Sequence, residues 1–270
     1  MKLVVLSDIH IDLPVEDQKY PDNLARLETA IERINTAYSD ADLVVFAGDL
    51  VDRGRFAAPY KALKETLESL SPPYALTLGN HDDRNTFCGV FGKAHCDENG
   101  YIQSAHDVGG THVLVLDSTT DAPAPKGFRG ARDAWGQLDT PRLDTLGHWL
   151  QETNGEAVIV ILHHPPLQLG LWGDSMLLRE PKALIDMLVE HGNVRHVISG
   201  HIHMTTTAFH RGIPFTTLAG GCTTVIEDVG RRENRCRREG PAQMAIMLSD
   251  AEQTTVHFDN YVDANPAFSK

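Results

Sequence analysis

Asp8 and His10 are separated by one residue, and so are His201 and His203, each pair close behind a short apolar run. In an extended or tightly turning backbone, side chains at i and i+2 point to the same side, so each pair can converge on one point. Three further stretches carry donors of the same kinds: Gly48-Asp49-Leu50-Val51-Asp52-Arg53-Gly54, Gly79-Asn80-His81-Asp82, and His163 at the end of Ala157 to His164. Imidazole nitrogen mixed with carboxylate and amide oxygen, without thiolate, selects borderline metals: Zn, Mn, Fe or Co. Asp8, His10, Asp49, Asn80, His163, His201 and His203 are too many donors for one tetrahedral ion. They suit two ions held close together, bridged by a carboxylate that binds through both oxygens. Asp49, central in the set and flanked by Gly48 and Gly54, is the candidate bridge.

A charge sum gives the chemistry. Two divalent ions offset by Asp8, Asp49 and a bridging hydroxide leave a centre of about +1, which attracts an anion and lowers the pKa of bound water toward about 7. Two such ions match the phosphoryl oxygens of an in-line displacement. Phosphoester hydrolysis fits that geometry.

Buried strands must position these donors. Runs of β-branched residues and leucine without strict alternation occur at Lys2 to Asp8, Asp42 to Asp49, Tyr74 to Asn80, His112 to Ser118, Ala157 to His164 and Val194 to His201. They read as strands covered on both faces. Helical stripes lie between them: Leu24, Leu27, Ile31 and Ile34 behind an Asp22 N-cap; Leu63, Leu67 and Leu70; Leu143, Leu146 and Leu150; and Leu184, Met187 and Leu188, opened by Pro181 and closed by Gly192. The alternation makes the class α/β, and the donors fall at strand C-termini, where α/β sheets place their sites.

Two segments break the rhythm. Residues 119–140, rich in Pro and Gly, read as a long loop over the sheet edge, and the stretch after residue 205 as a hairpin turning at Arg211-Gly212. Within Cys222 to Arg238, the run Gly230 to Glu239 is a local basic patch, read as a solvated face or, alternatively, as a lid above a phosphate site. The net charge of −13 argues against binding a nucleic-acid polymer or an anionic membrane surface. No apolar run reaches the length of a membrane span or a signal peptide, so a cytoplasmic location is expected. Cys88, Cys96, Cys222 and Cys236 read as buried or partly buried reduced thiols. His164 is expected to point away from its neighbour His163, while Trp135, Trp172 and Phe209 read as core or loop packing or, alternatively, as the lining of a pocket, and Asp12 and Asp83 as turn or supporting residues.

The ordered blocks Asp8-x-His10, Gly48-Asp49-x-x-Asp52, Gly79-Asn80-His81, His163 and Gly200-His201-x-His203 resemble those of the calcineurin-like metallophosphoesterases, over residues 3–205. That resemblance implies a four-layer α/β/β/α sandwich of two mixed sheets flanked by helices, with a small C-terminal cap. It implies one ion held by Asp8, His10, Asp49 and His203, and a second by Asp49, Asn80, His163 and His201. It makes His81 the group beside the leaving oxygen or the phosphate, able to protonate a departing alkoxide, with Asp52 orienting it. The string Gly48 to Gly54 is similar to that of the Ser/Thr protein phosphatases, which implies Arg53 as a phosphate clamp.

Length and the closing Gly-His-x-His are most similar to the bacterial class III cyclic-nucleotide and glycerophosphodiester phosphodiesterases. The implied reaction is attack of metal-bound hydroxide on the phosphorus of a small anionic phosphodiester. The implied layout is a catalytic domain over 1–218, a cap and dimerisation segment over 219–245, and a strand returning to the core with a tail over 246–270. A homodimer or higher homo-oligomer would form through the cap. A phosphomonoesterase or protein phosphatase on the same site is the first alternative, and a non-catalytic scaffold of the same fold the second.

Overall fold

The computed structural model describes residues 1–12, 22–121, 134–231 and 233–263. Most of the loop expected over 119–140, together with Arg232 of the basic patch, lies outside the described residues.

In chain order the strands are β1 (Lys2–Leu6), β2 (Leu43–Ala47), β3 (Tyr74–Thr77), β4 (Ser104–Asp107), β5 (Thr111–Leu116), β6 (Ala157–Leu162) and β7 (Val194–Ser199). They continue with β8 (Thr206–His210), β9 (Ile213–Thr217), β10 (Thr224–Asp228), β11 (Glu233–Arg238), β12 (Ala242–Ser249) and β13 (Thr254–Val262). The helices are α1 (Asn23–Ala37), α2 (Ala57–Leu67), α3 (Arg84–Phe91), α4 (Thr140–Glu152) and α5 (Lys182–His191). Two large mixed sheets result. One has the order β13-β12-β1-β2-β3 and the other β4-β5-β6-β7-β9-β8, while β10 and β11 pair only with each other.

Period-two geometry explains why the strands read as unbroken apolar runs. Leu3, Val5 and Val45 face inward against Val113, Val115, Ile159 and Ile161 of the second sheet. Their neighbours Val4, Leu6 and Phe46 face outward, under Leu27 and Ile31 of α1 and Leu63 of α2. On the far side Leu114, Val158 and Val160 pack under Leu146 and Leu150 of α4 and Leu184 and Leu188 of α5. The layers run α/β/β/α, as expected.

Caps fix the helix starts. Asp22 accepts from the Ala25 N–H, Asp83 from Thr86 and Asp139 from Arg142, each answering an N–H that the first turn leaves unpaired. Asp83 therefore has a supporting role, as read from sequence. Pro181 is the N-cap of α5, one place earlier than expected, and Gly192 ends that helix at φ 77°. The segment returning to the core begins at Ala242 and makes two strands. β12 lies antiparallel to β1, with Val4 opposite Ile246, and β13 lies antiparallel to β12. What stands apart from the sheets is the β10–β11 hairpin. Among the described residues no helix is long and apolar enough to cross a membrane.

Candidate metal centre

The donors meet where the first sheet's strand ends face those of the second. Their backbone is unusual. Asp8 (φ 53°), His10 (45°), Asp49 (49°), His201 (74°) and His203 (53°) all occupy the left-handed region. L-residues with a Cβ adopt it only when their surroundings fix them there. The fixing bonds are present. Asp8 N–H donates to Gly48 O at 3.0 Å, and His10 N–H to Asp49 O at 2.9 Å. The His201 N–H donates to the Asp8 carboxylate at 3.0 Å.

Asp8 and His10 converge as expected, but the left-handed turns change where the second pair points. His201 and His203 do not converge on one spot; they serve two adjacent clusters. Asp8, His10 and His203 bring ligand atoms together in one, and His163, His164 and His201 in the other. Asp49 joins them. Its Oδ2 lies 3.5 Å from His10 Nε2 and 3.4 Å from His163 Nε2. Its Oδ1 is engaged by the backbone N–H of His81 at 2.8 Å. The carboxylate therefore faces both clusters through one oxygen, where the sequence reading gave it two.

Spacing supports a cation in each cluster. His10 Nε2 and His203 Nε2 are 3.2 Å apart, His203 Nε2 and Asp8 Oδ1 3.4 Å, and His163 Nε2 and Asn80 Oδ1 3.3 Å. Ligands bonded at about 2.1 Å in tetrahedral or octahedral array have edges of about 3.0–3.4 Å. The tautomers agree. His163 Nδ1 donates to Ala47 O at 2.9 Å and His203 Nδ1 to Thr223 O at 2.6 Å, which turns each Nε2 lone pair inward. His201 Nε2 is buried with no hydrogen-bond partner among the described residues. An uncompensated buried nitrogen of this kind fits a metal ligand.

Proton affinities follow from the same crowding. Burial would raise the Asp49 carboxyl, but the positive field of His163, His81 and His10 holds it well below the usual carboxylate range. Burial lowers His163, yet the charge of Asp49 overrides it and lifts the ring to about 9. Burial takes His201 down to about 3, helped by His163, and His203 down to about 4. Without metal the cluster holds protons where opposite charge is nearest; a divalent ion competes for those places.

Close approach explains the glycines. A Cβ on Gly79 would stand 2.3 Å from Asp49 Oδ1 and 2.7 Å from His163 Nε2. One on Gly200 would stand 1.8 Å from Ser7 Oγ and 2.5 Å from Asp8 Oδ2. No side chain fits at either place.

Several sequence-based assignments change. His81 lies at the cavity, its ring edge-on to His10 at 4.7 Å between centroids. The backbone carbonyl of Asp52 meets His81 Nδ1 at 2.9 Å, while Asp52 Oδ1 lies 3.5 Å from both His81 Nδ1 and His10 Nδ1. Asp52 thus orients His81 through its main chain, and its carboxylate is shared with His10. Arg53 does not line the cavity. Its guanidinium is held by Asp12 at 2.7 Å, because the chain turns away at Gly54, whose N–H donates to His81 O. His164 does not point away either: β6 ends at Leu162, alternation stops there, and the His164 ring lies 4.8 Å from that of His201. Its Nδ1 pairs with Ser118 Oγ at 2.8 Å.

Some residues near the centre carried no sequence signal that was recognised. Asp82 accepts from the N–H groups of Gly79, Leu50 and Val51 and from the Tyr60 hydroxyl, stapling the two donor loops together. Burial and the charge of Asp49 push its carboxyl up to about 6. Asp82 itself, directly behind His81 in Gly79-Asn80-His81-Asp82, was the available hint. Trp172 is 41% exposed and lines the cavity, the alternative role read for it; Trp135 is buried in the core, and Phe209 is exposed on β8. Cys236 is exposed on β11, where a partly buried thiol was expected, and the Cys88 and Cys96 sulfurs lie 3.2 Å apart.

The cavity above the donors has a volume of about 180 Å³. Asp49, Asn80, His81, His201 and His203 form its floor, and Arg235 and Arg237 of β11 stand on its wall.

Comparison with known proteins agrees with this geometry. The sequence model of the calcineurin-like phosphoesterases matches residues 1–205. A probable cyclic nucleotide phosphodiesterase of Rhodopseudomonas palustris is 29% identical over 100% of this chain and 96% of its own. The 3',5'-cyclic adenosine monophosphate phosphodiesterase CpdA of Pseudomonas aeruginosa is 28% identical over 92% of this chain and 85% of its own. Among solved structures, a dimetal phosphatase from Danio rerio superposes with a TM-score of 0.72 at 15% identity, covering 97% of this chain and 96% of that one.

Proposed function

The chain belongs to the calcineurin-like phosphoesterase family, and from that premise we propose that it hydrolyses small phosphodiesters, cyclic nucleotides such as 3',5'-cAMP before glycerophosphodiesters, with two transition-metal ions (Mn, Fe, Zn or Co). Asp8, His10, Asp49 and His203 hold one ion, and Asp49, Asn80, His163 and His201 the other. The observation that carries this reading is the single oxygen of Asp49 facing His10 and His163 at 3.5 and 3.4 Å. The relatives' names support the diester.

The ions supply positive charge and a water of lowered pKa. The protein's own groups do the rest. Asn80 and the histidine nitrogens define the floor on which the phosphate rests. His81, held at Nδ1 by the Asp52 carbonyl, presents Nε2 as the nitrogen that exchanges a proton with the leaving oxygen. The β10–β11 hairpin excludes water from above, and its exposed Ile226 and Val229 form the face through which two copies of the chain associate.

Two guanidiniums on the wall, Arg235 and Arg237, add positive charge that a monoester dianion needs, which favours phosphomonoester hydrolysis as a second reading. Purified protein loaded in turn with Mn, Fe, Zn and Co should hydrolyse 3',5'-cAMP and bis(p-nitrophenyl) phosphate faster than p-nitrophenyl phosphate. Faster turnover of the monoester would select the second reading, and a folded sample that takes up no ion would overturn both.

A further inference from the structure

The β10–β11 hairpin is tied to the centre. Val225 N–H donates to His203 O at 2.8 Å, and Gly230 N–H to Gly170 O at 2.9 Å. The buried Glu227 carboxylate accepts the Trp172 N–H at 2.8 Å. These bonds set strand β11 against the short turn Trp172–Met176. There the Arg235 guanidinium carbon lies 4.4 Å from the centroid of the Trp172 ring.

Arg235 is the more constrained of the two hairpin arginines that line the cavity. Burial lowers its proton affinity, with the charge of Arg237 adding to the effect and Glu227 opposing it. Among the described residues neither Arg235 nor Arg237 has an ion pair within 4.0 Å. Arg237 stands near enough to His203 for its charge to lower that ring further, after burial and the histidine His10. Two cations and a partly exposed indole therefore share one wall of a cavity whose floor is the donor set. The flanking surface, Leu171, Met176 and Val225, is apolar. A ring-less polar alcohol has little to gain from such a wall. A flat heteroaromatic ring gains stacking from both the indole and the guanidinium plane.

We propose that Trp172 and Arg235 form the binding platform for a nucleobase, and that Arg237 meets the phosphate carried by the same nucleotide. The proposal rests on the phosphoesterase reading above and deepens it. It makes the substrate class nucleotides, with specificity residing in the hairpin and the Trp172 turn and not in the ligand set. Arg237 contributes charge to any phosphate; Trp172 and Arg235 respond only to the base.

AMP carries adenine where ribose 5-phosphate carries its anomeric hydroxyl, so their affinities for the metal-loaded full chain, measured by calorimetry with released phosphate monitored for turnover, separate the two roles. The unsubstituted protein should bind AMP at least tenfold more tightly than ribose 5-phosphate. Trp172→Ala should erase that ratio while leaving ribose 5-phosphate affinity in place, which also shows the variant folded, and Trp172→Tyr should restore most of it. Arg235→Gln should reduce the ratio, and Arg237→Gln should weaken both ligands together. Equal affinity for the two ligands in the unsubstituted protein, or an unchanged ratio in Trp172→Ala, overturns the platform. Failure to hydrolyse any phosphodiester while the AMP preference persists would count against the reaction alone.

Discussion

His10 and His203, 193 positions apart in the chain, hold their Nε2 atoms 3.2 Å from one another inside the protein. His203 spends its Nδ1 hydrogen on Thr223 O, so its Nε2 presents a bare lone pair. Two ring nitrogens at that distance need something positive between them, a proton or a metal ion. Chelation exchanges the second for the first and leaves the left-handed backbone at five donors less well supported. At an ion concentration 100-fold above Kd, binding adds about 2.7 kcal/mol, so chelation should lower Tm by about 5–10 °C, reversibly on adding metal back. A melting curve indifferent to chelator would contradict the site.

The shared oxygen of Asp49 makes metal content a sharper test. Asp49→Ala should deplete both ions, whereas His203→Ala and Asn80→Ala should each deplete one and weaken the other. Elemental analysis of the three purified variants reads this directly. Two ions retained per chain in Asp49→Ala would show that the clusters do not share it.

The His81 ring is held at Nδ1 by Asp52 O, while its main-chain N–H, which substitution of the side chain keeps, holds Asp49 Oδ1. His81→Ala should keep both ions and lose about 10²–10⁴-fold in kcat/KM on 3',5'-cAMP, the usual contribution of a positioned general acid. The loss should shrink markedly on bis(p-nitrophenyl) phosphate, whose leaving group departs without a proton. Equal losses on both substrates would assign His81 to binding instead.

The parts that were legible in the sequence are those with a strong local signature. Strands such as Val158 to Leu162 are apolar on both faces because two sheets and two helix layers cover them, and each donor follows such a run. The ligand set was readable because its chemistry does not depend on side-chain direction. Direction was where the reading failed. Asp8 and His10 do converge, but His164 and the pair His201 and His203 point otherwise than expected, because the chain leaves extended geometry at the donors themselves. The hairpin gave no pattern either: β11, Glu233–Arg238, is exposed along its length, so no apolar period marks it. Helix α3 buries only Phe87 and Phe91 and was missed for the same reason. The Arg235–Trp172 contact joins residues brought together only by the tertiary fold, through Glu227 and Gly230.

Arg53 tests a motif against its surroundings. The string Gly48 to Gly54 implied a phosphate clamp, yet Arg53 is bonded by Asp12 through both Nε and Nη2, at 3.2 and 2.7 Å. A solvent-open pair of this kind contributes little to stability. Arg53→Gln should therefore leave Tm within about 4 °C and kcat/KM within about threefold of the unsubstituted protein. Arg237→Gln, by contrast, should raise KM for every phosphate ligand. A loss in Arg53→Gln as large as in Arg237→Gln would restore the clamp.

Away from the centre, His196 on β7 should set part of the acid sensitivity of the fold. It is buried, its Nε2 lies 2.9 Å from Thr216 Oγ1, and burial lowers its pKa from 6.5 to about 4. Above pH 6.5 the ring is neutral in both folded and unfolded chains, and its contribution is fully present. As pH falls from 6.5 toward 4, the unfolded chain takes up a proton that the folded one refuses, so stability declines through that window by about 3 kcal/mol. His196→Gln keeps a polar group for Thr216 and removes the titration. In urea unfolding with chelator present, the unsubstituted protein should lose about 2 kcal/mol more than the variant between pH 7.5 and pH 5. The histidines of the centre titrate alike in both proteins and cancel in the difference, so equal losses would mean that His196 accepts its proton in the folded state.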